Sequence, residues 1–267
     1  MISVVTTLYR TPAPVLARTW ASLRAQTHTD WEWVVLDDSP DGESDAWRQV
    51  YGYCADDRYR ITLLRGVHDG RIGAVKRRAF MAAAGSILVE LDHDDELTPD
   101  ALTRIDAAFA AHPDAGFVYS DWCEINAAGQ SCRYPEGWAF GHGADRWDAE
   151  HGVWVMCAPP INDDTIRHIV SAPNHVRAWR ADVYRGLGGH SDLDVADDYE
   201  LVVRTFLATR FVHVPALLYR QHIGGHTAQR QRNDRIQQLV ATIAADHATA
   251  ITDRLAALGG GNVQTDA

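Results

Sequence analysis

Ile87-Leu88-Val89-Glu90-Leu91-Asp92-His93-Asp94-Asp95 is the stretch on which the fold turns. Residues 87–91 are a short, mostly apolar run bounded by Gly85 and by acids, which reads as a buried strand. Upstream, residues 72–84 predict a helix, with Gly85 as its C′ residue. Downstream, Thr98 reads as an N-cap with Pro99 at N1, opening a helix that stops before Pro113. A strand between two helices is the repeating unit of an α/β sheet. Ligands of such sheets bind beyond the carboxyl ends of the strands, where these acids stand.

The same alternation continues outward. Ile2–Leu8 is an apolar, β-branched strand, and Pro12 and Pro14 open a helix with Val15, Leu16, Trp20 and Leu23 on one side. Residues 31–36 predict a second strand, and Trp47, Val50, Tyr51 and Cys54 the buried stripe of a second helix. Residues 60–64 and 117–120 add strands. The pattern implies a mostly parallel sheet with helices on both faces. Beyond it, residues 123–133 read as a hairpin turning at 126–129, and residues 134–168 show little periodicity. A helix near Ala196 buries Tyr199, Val202, Val203 and Phe206, and a strand covers 210–219. One long helix over 228–258 carries Ile236, Leu239, Val240 and Ile243, a stripe that suits either a homodimer or packing on its own domain. The expected layout is a catalytic domain over 1–225, with a nucleotide-binding half (1–122) and an acceptor half (123–225). The helix at 226–258 and a disordered tail at 259–267 complete it.

The chain has 267 residues, 46% of them hydrophobic, and a formal net charge of -11. That acidity argues against nucleic-acid binding, which rests on Lys and Arg neutralising phosphates. A negatively charged substrate must then be met by a metal ion or by a few placed cations. Cys123 and Cys132 could face each other across the hairpin, but nothing else points to export, and no run is long enough for a membrane span. A cytoplasmic setting is expected.

Three acid clusters stand at strand ends or helix starts: Asp37-Asp38, Asp92-His93-Asp94-Asp95 and Asp197-Asp198. Carboxylates two apart at a strand end can share one hard cation such as Mg²⁺ or Mn²⁺. They also suit a helix N-terminus without any ligand. Asp38 can hydrogen-bond a base or ribose, or belong to a plain turn. Asp197 and Asp198 can cap a helix, or one of them can deprotonate a hydroxyl. Trp138, Trp147 and Trp154 can stack on sugar rings or fill core. His142, His151, His168 and His175 read as solvent or core histidines.

Order and spacing decide between these readings. Ser3-Val4-Val5-Thr6-Thr7, Trp31-Glu32-Trp33-Val34-Val35-Leu36-Asp37-Asp38-Ser39-Pro40-Asp41-Gly42, Gly73 to Gly85, Asp92-His93-Asp94-Asp95, Asp197-Asp198-Tyr199-Glu200-Leu201 and Tyr219-Arg220-Gln221-His222 follow one another over about residues 1–225. Together they resemble the family 2 glycosyltransferases with the GT-A fold. The resemblance implies an inverting, metal-dependent transfer from a nucleoside-diphosphate sugar, a UDP-sugar ahead of a GDP- or dTDP-sugar, to an acceptor not named by the sequence. It implies that Thr6, Asp38, Lys76, Asp92 and His93 line the donor site. Asp94, with His222, would bind Mn²⁺ or Mg²⁺, and Asp198 or Asp197 would be the base. Lys76-Arg77 stands where the family often has Arg-Asn, and Asp197 where it has Glu. No QxxRW motif occurs, so a single addition is expected. A nucleotidyltransferase would carry a Gly-rich basic loop after the first strand, where Tyr9-Arg10-Thr11-Pro12 stands. A non-catalytic sugar-nucleotide binder would not need all three acid clusters.

Overall fold

The computed structural model describes residues 1–40, 44–57, 60–224 and 228–260. The apolar runs become β1 (Ile2–Leu8), β2 (Trp31–Asp37), β3 (Ile61–Arg65) and β4 (Ile87–Glu90). Between them lie α1 (Ala13–Arg24), α2 (Asp45–Asp57) and α3 (Ile72–Ala82). The chain continues through β5 (Glu96–Leu97), α4 (Ala101–Ala111), β6 (Ala115–Ile125), β7 (Ala144–Asp148), β8 (Val153–Cys157) and α5 (Asp163–Ile166). Then come β9 (Arg177–Arg180), α6 (Ala181–Gly186), α7 (Asp197–Ala208), β10 (Arg210–His222), α8 (Ala228–Asp246) and α9 (Ala248–Ala257).

Strand order is β3-β2-β1-β4-β9-β6-β10-β5. The first four are parallel. β9 then enters antiparallel to both β4 and β6, so the sheet is mixed at its middle. From β1 the chain builds outward through β2 and β3, then returns to β4 on the other side of β1. That reversal is a topological switch point, and it opens a crevice at the carboxyl ends of β1 and β4. The β7/β8 hairpin joins the sheet where Met156 pairs with Trp122 of β6.

Several expectations change in detail. Tyr51 is 70% exposed, because α2 turns Ala46 and Val50 inward and stacks Tyr53 on Trp20. Gly85 is not a left-handed cap: a Cβ there would lie 2.6 Å from Ser3 Oγ, so close approach to β1 demands glycine. Thr98 lies before the Asp100 N-cap of α4, and its hydroxyl donates to Asp100 Oδ1 and to the Leu217 carbonyl. The turn at 126–129 forms, with Asn126 Oδ1 accepting from Ala128 and Gln130 amides, but one bridge alone follows it. Cys123 and Cys132 are free thiols. The long final helix breaks at His247, and Ile236, Val240 and Ile243 are buried within the chain, with α8 against α7. That stripe is therefore not available as a homodimer face. Of the expected tail at 259–267, residues 261–267 lie outside the described residues, as do Asp41 and Gly42 of the second motif.

Gly73, at the start of α3, touches the segment leading into α7. Its amide donates to the Leu193 carbonyl, and a Cβ would fall 1.9 Å from the Ser191 carbonyl oxygen. Gly73→Ala should cost about 2 kcal/mol or more, because backbone rather than a side-chain tip must yield. Urea denaturation checks this; an unchanged midpoint would contradict the contact.

Candidate active site

Glu90 ends β4 and is paired across the strands with Arg177 of β9. Both are buried. Arg177 Nε donates to Glu90 Oε2 at 2.7 Å, and Lys76 Nζ, from α3, to Oε1 at 2.5 Å. The row extends both ways. Arg177 donates to Asp198 Oδ2 at 3.1 Å, while Lys76 Nζ lies 3.9 Å from Asp197 Oδ2 and 4.0 Å from Asp92 Oδ1. The second and third acid clusters, far apart along the chain, thus meet around one ammonium.

Protonation follows from this packing. Burial would raise the Glu90 carboxyl, but Arg177 and Lys76 outweigh it and hold it well below the usual range. Asp198 is likewise held low, by Arg177 and Lys76 against burial. Burial pushes Asp197 up to about 7, with Lys76 opposing and Asp198 reinforcing. The two neighbours therefore divide into an ionised carboxylate at the surface of the network and a reluctant one inside it.

The turn at 92–95 is held by the last strand and by α1. Tyr219 Oη accepts from the Asp92 amide and donates to Asp95 Oδ2 at 2.8 Å. The His222 amide donates to Asp95 Oδ1, and Thr19 Oγ1 to the carbonyls of His93 and Asp95. Burial raises the carboxyls of Asp94 and Asp95, and the Asp92 charge adds to both. His175, stacked on Tyr219 at 4.1 Å, brings a buried ring to the same place. Asp92, Asp95 and His175 each offer a ligand atom within 4.8 Å of the others.

At the end of β2, the Asp38 carboxylate accepts from His68 Nδ1 at 2.8 Å and from the Asp69 amide at 3.1 Å. Thr6, expected in the donor pocket, is in the core instead: its hydroxyl donates to the Leu91 carbonyl and accepts from Trp33 Nε1. β1 turns Thr6 into the sheet packing, where it is 1% exposed. The His222 ring meets Glu96 Oε1 through Nε2 at 2.6 Å, which orients the ring and leaves Nδ1 as the nitrogen that could face a cation. Asp94 and His93 stay partly open at the rim. Trp138 packs edge-on to Trp122 and Tyr134, while Trp147 is exposed and Trp154 sits under Arg133. Glu90 and Arg177 stand outside the residues that the sequence singles out, and His175, expected as a solvent or core histidine, is buried beside the acid turn. Glu90 looked like one polar residue in a buried strand, and that charge inside an apolar run was the available signal.

A family model described as Glycosyl transferase family 2 matches residues 3–149. The O-antigen biosynthesis protein RfbC of Myxococcus xanthus is 25% identical over 226 residues, covering 84% of this chain and 16% of that protein. The chain spans between 14% and 35% of the length of the curated relatives it matches. Among solved structures, S. aureus TarS 1-349 in complex with UDP-GlcNAc superposes with a TM-score of 0.66 at 16% identity. The match covers 95% of this chain and 71% of that one. GalNAc-T7 with UDP, GalNAc and Mn²⁺ gives a TM-score of 0.62 at 16% identity, covering 86% and 45%. These likenesses establish the fold as GT-A.

Glu90→Gln leaves two buried cations short of a partner and should cost about 3 kcal/mol, read by denaturant unfolding. A loss under about 1 kcal/mol would mean the row is not a stabilising unit. Asp197 has the opposite sign. Its folded value of about 7 exceeds the ordinary 3.8, so the native state keeps a proton that the unfolded chain releases. Stability should fall as pH rises through that window. Asp197→Asn should flatten this slope in thermal unfolding scans.

Proposed function

The chain belongs to glycosyl transferase family 2, and from that premise we propose that it transfers a sugar from a UDP-sugar to an acceptor hydroxyl, once per turnover and with inversion. The observation that carries the reading is the meeting of Asp92 and Asp197 around Lys76 Nζ, within 4.0 Å, at the switch-point crevice. Donor-side and acceptor-side acids belong together only if one substrate spans them.

Asp198 is the base. It lines a cleft with Asn174, Arg177 and Tyr199, and its carboxylate is more open than that of Asp197. Arg177 keeps Asp198 ionised and aimed, so it accepts the acceptor's proton as the oxygen attacks the anomeric carbon. Asp197 is enclosed and serves Lys76. Lys76, held charged by Glu90, Asp197 and Asp92 against its burial, contributes positive charge beside the diphosphate. Inversion follows from the family resemblance, in which one base serves a single displacement.

The chemistry of the 92–95 turn fits a divalent cation, Mn²⁺ or Mg²⁺. Crowded carboxylates there resist ionising together, and His175 Nδ1 is buried without a hydrogen-bond partner. Asp92 would supply an oxygen ligand and His175 a nitrogen, since their ligand atoms lie within 4.8 Å of each other and of Asp95; Asp94, in the same turn, would add a carboxylate, with His222 as a further candidate. When bound, the cation neutralises charge developing on the leaving diphosphate. Asp38 would hold the nucleobase, and Asp92 and His93 border the sugar. The bound UDP-GlcNAc of TarS supports the donor class. Free thiols suit a reducing cytoplasmic setting, and no helix among the described residues is long and apolar enough to cross a membrane.

Asp198→Asn should lower kcat by roughly 10²–10⁴ while leaving the donor's Kd unchanged. Because Asp198 is held low, activity should persist below the usual aspartate range, and a limb near neutral pH would remove Asp198 from the role. Asp94→Asn should weaken Mn²⁺ binding at least about tenfold in calorimetry; unaltered affinity would exclude it as a ligand.

A further inference from the structure

The loop between β3 and α3 does something unexpected at the crevice. Asp38 directly follows β2, yet its side chain is only 5% exposed. His68 Nδ1 lies 2.8 Å from Asp38 Oδ2, and since a carboxylate only accepts, this nitrogen carries the proton. The Asp69 amide donates at 3.1 Å and that of Gly70 at 3.4 Å. The imidazole also stacks on Tyr9, just past the end of β1, with ring centroids 5.3 Å apart and planes 25° apart. A flat ring with an in-plane N–H on a carboxylate and a face on a tyrosine is the arrangement a pyrimidine base would adopt. No second ring fits between centroids this close, since stacking each face needs about 3.5 Å.

We propose that this loop is a plug: His68 occupies the nucleobase seat, and a nucleoside diphosphate binds only after His68 leaves. This rests on the reading of Asp38 as the base contact. The loop lies outside the regular elements and is tied by side chains, Arg71 to Asp69 and Arg78 to the Val67 carbonyl. Residues 66–71 belong to no helix or strand, Val67 is 88% exposed, and Gly70 takes a left-handed φ of 76°. The base's own N–H would replace the one that His68 gives to Asp38, so the base competes with an internal surrogate. The apparent donor affinity is then the intrinsic affinity scaled by the fraction of chains with the plug open.

Calorimetry with UDP and Mn²⁺ on the full chain tests this. His68→Ala should tighten UDP binding by roughly three- to tenfold, because the competitor is gone. His68→Asn keeps a side-chain N–H but not the stack, and should fall between. Asp38→Ala should weaken UDP in either background. Unchanged or weaker UDP binding in His68→Ala, with the loss in Asp38→Ala intact, would overturn the plug and leave the base seat standing. UDP binding insensitive to Asp38→Ala, or absent from every form, would overturn the donor reading and the plug with it.

Discussion

A charge removed from water must be met by an opposite charge or it unfolds the protein, and Glu90 imposes that constraint here. Its carboxylate ends a strand in the middle of the sheet, where Lys76 comes from α3 and Arg177 from the neighbouring strand. The two cations in turn require Asp92, Asp197 and Asp198. One buried acid thereby ties together a turn, two strands and two helices. Replacing the row by apolar residues of similar size can be as stable, so its retention argues for positioning rather than for stability as such.

The rest of the crevice is arranged around that row. α3 can approach α7 because Gly73 lacks a side chain, and this approach puts Lys76 beside Asp197. The acid turn is braced from behind by Thr19, which holds the carbonyls of His93 and Asp95, and by Tyr219 and the His222 amide, which bond the inner carboxylate, Asp95. Asp92 and Asp94 are left half-buried, with Asp92 beside Lys76. A brace of this kind keeps the acids close in spite of their repulsion, which is the condition for a cation to bind them tightly.

Neighbouring acids have unlike roles because their surroundings differ by a few ångströms. Asp198 sees a guanidinium and the cleft, and ionises readily. Asp197 sees an ammonium at 3.9 Å and is otherwise enclosed, so burial governs it. A pair of identical residues is in this way split into a readily ionised carboxylate and one that holds its proton.

Alternating apolar runs and helical stripes, with proline and glycine at their ends, sufficed for most elements of the first half and for the family, because those patterns are local. The acids at strand ends were legible for the same reason: a strand end is a property of the adjoining segment. The antiparallel β9 in the sheet's centre was not, since pairing between distant segments leaves no local pattern. Nor were the pairing of Glu90 with Arg177, the place of His175 beside the acid turn, or the partners of Thr6 and of the His222 ring. Each depends on which face a neighbouring element presents. Sequence periodicity reports one element's faces, whereas a pKa, a ligand set or a blocked carboxylate is a sum over several elements brought within 4 Å, and only the folded chain performs that sum.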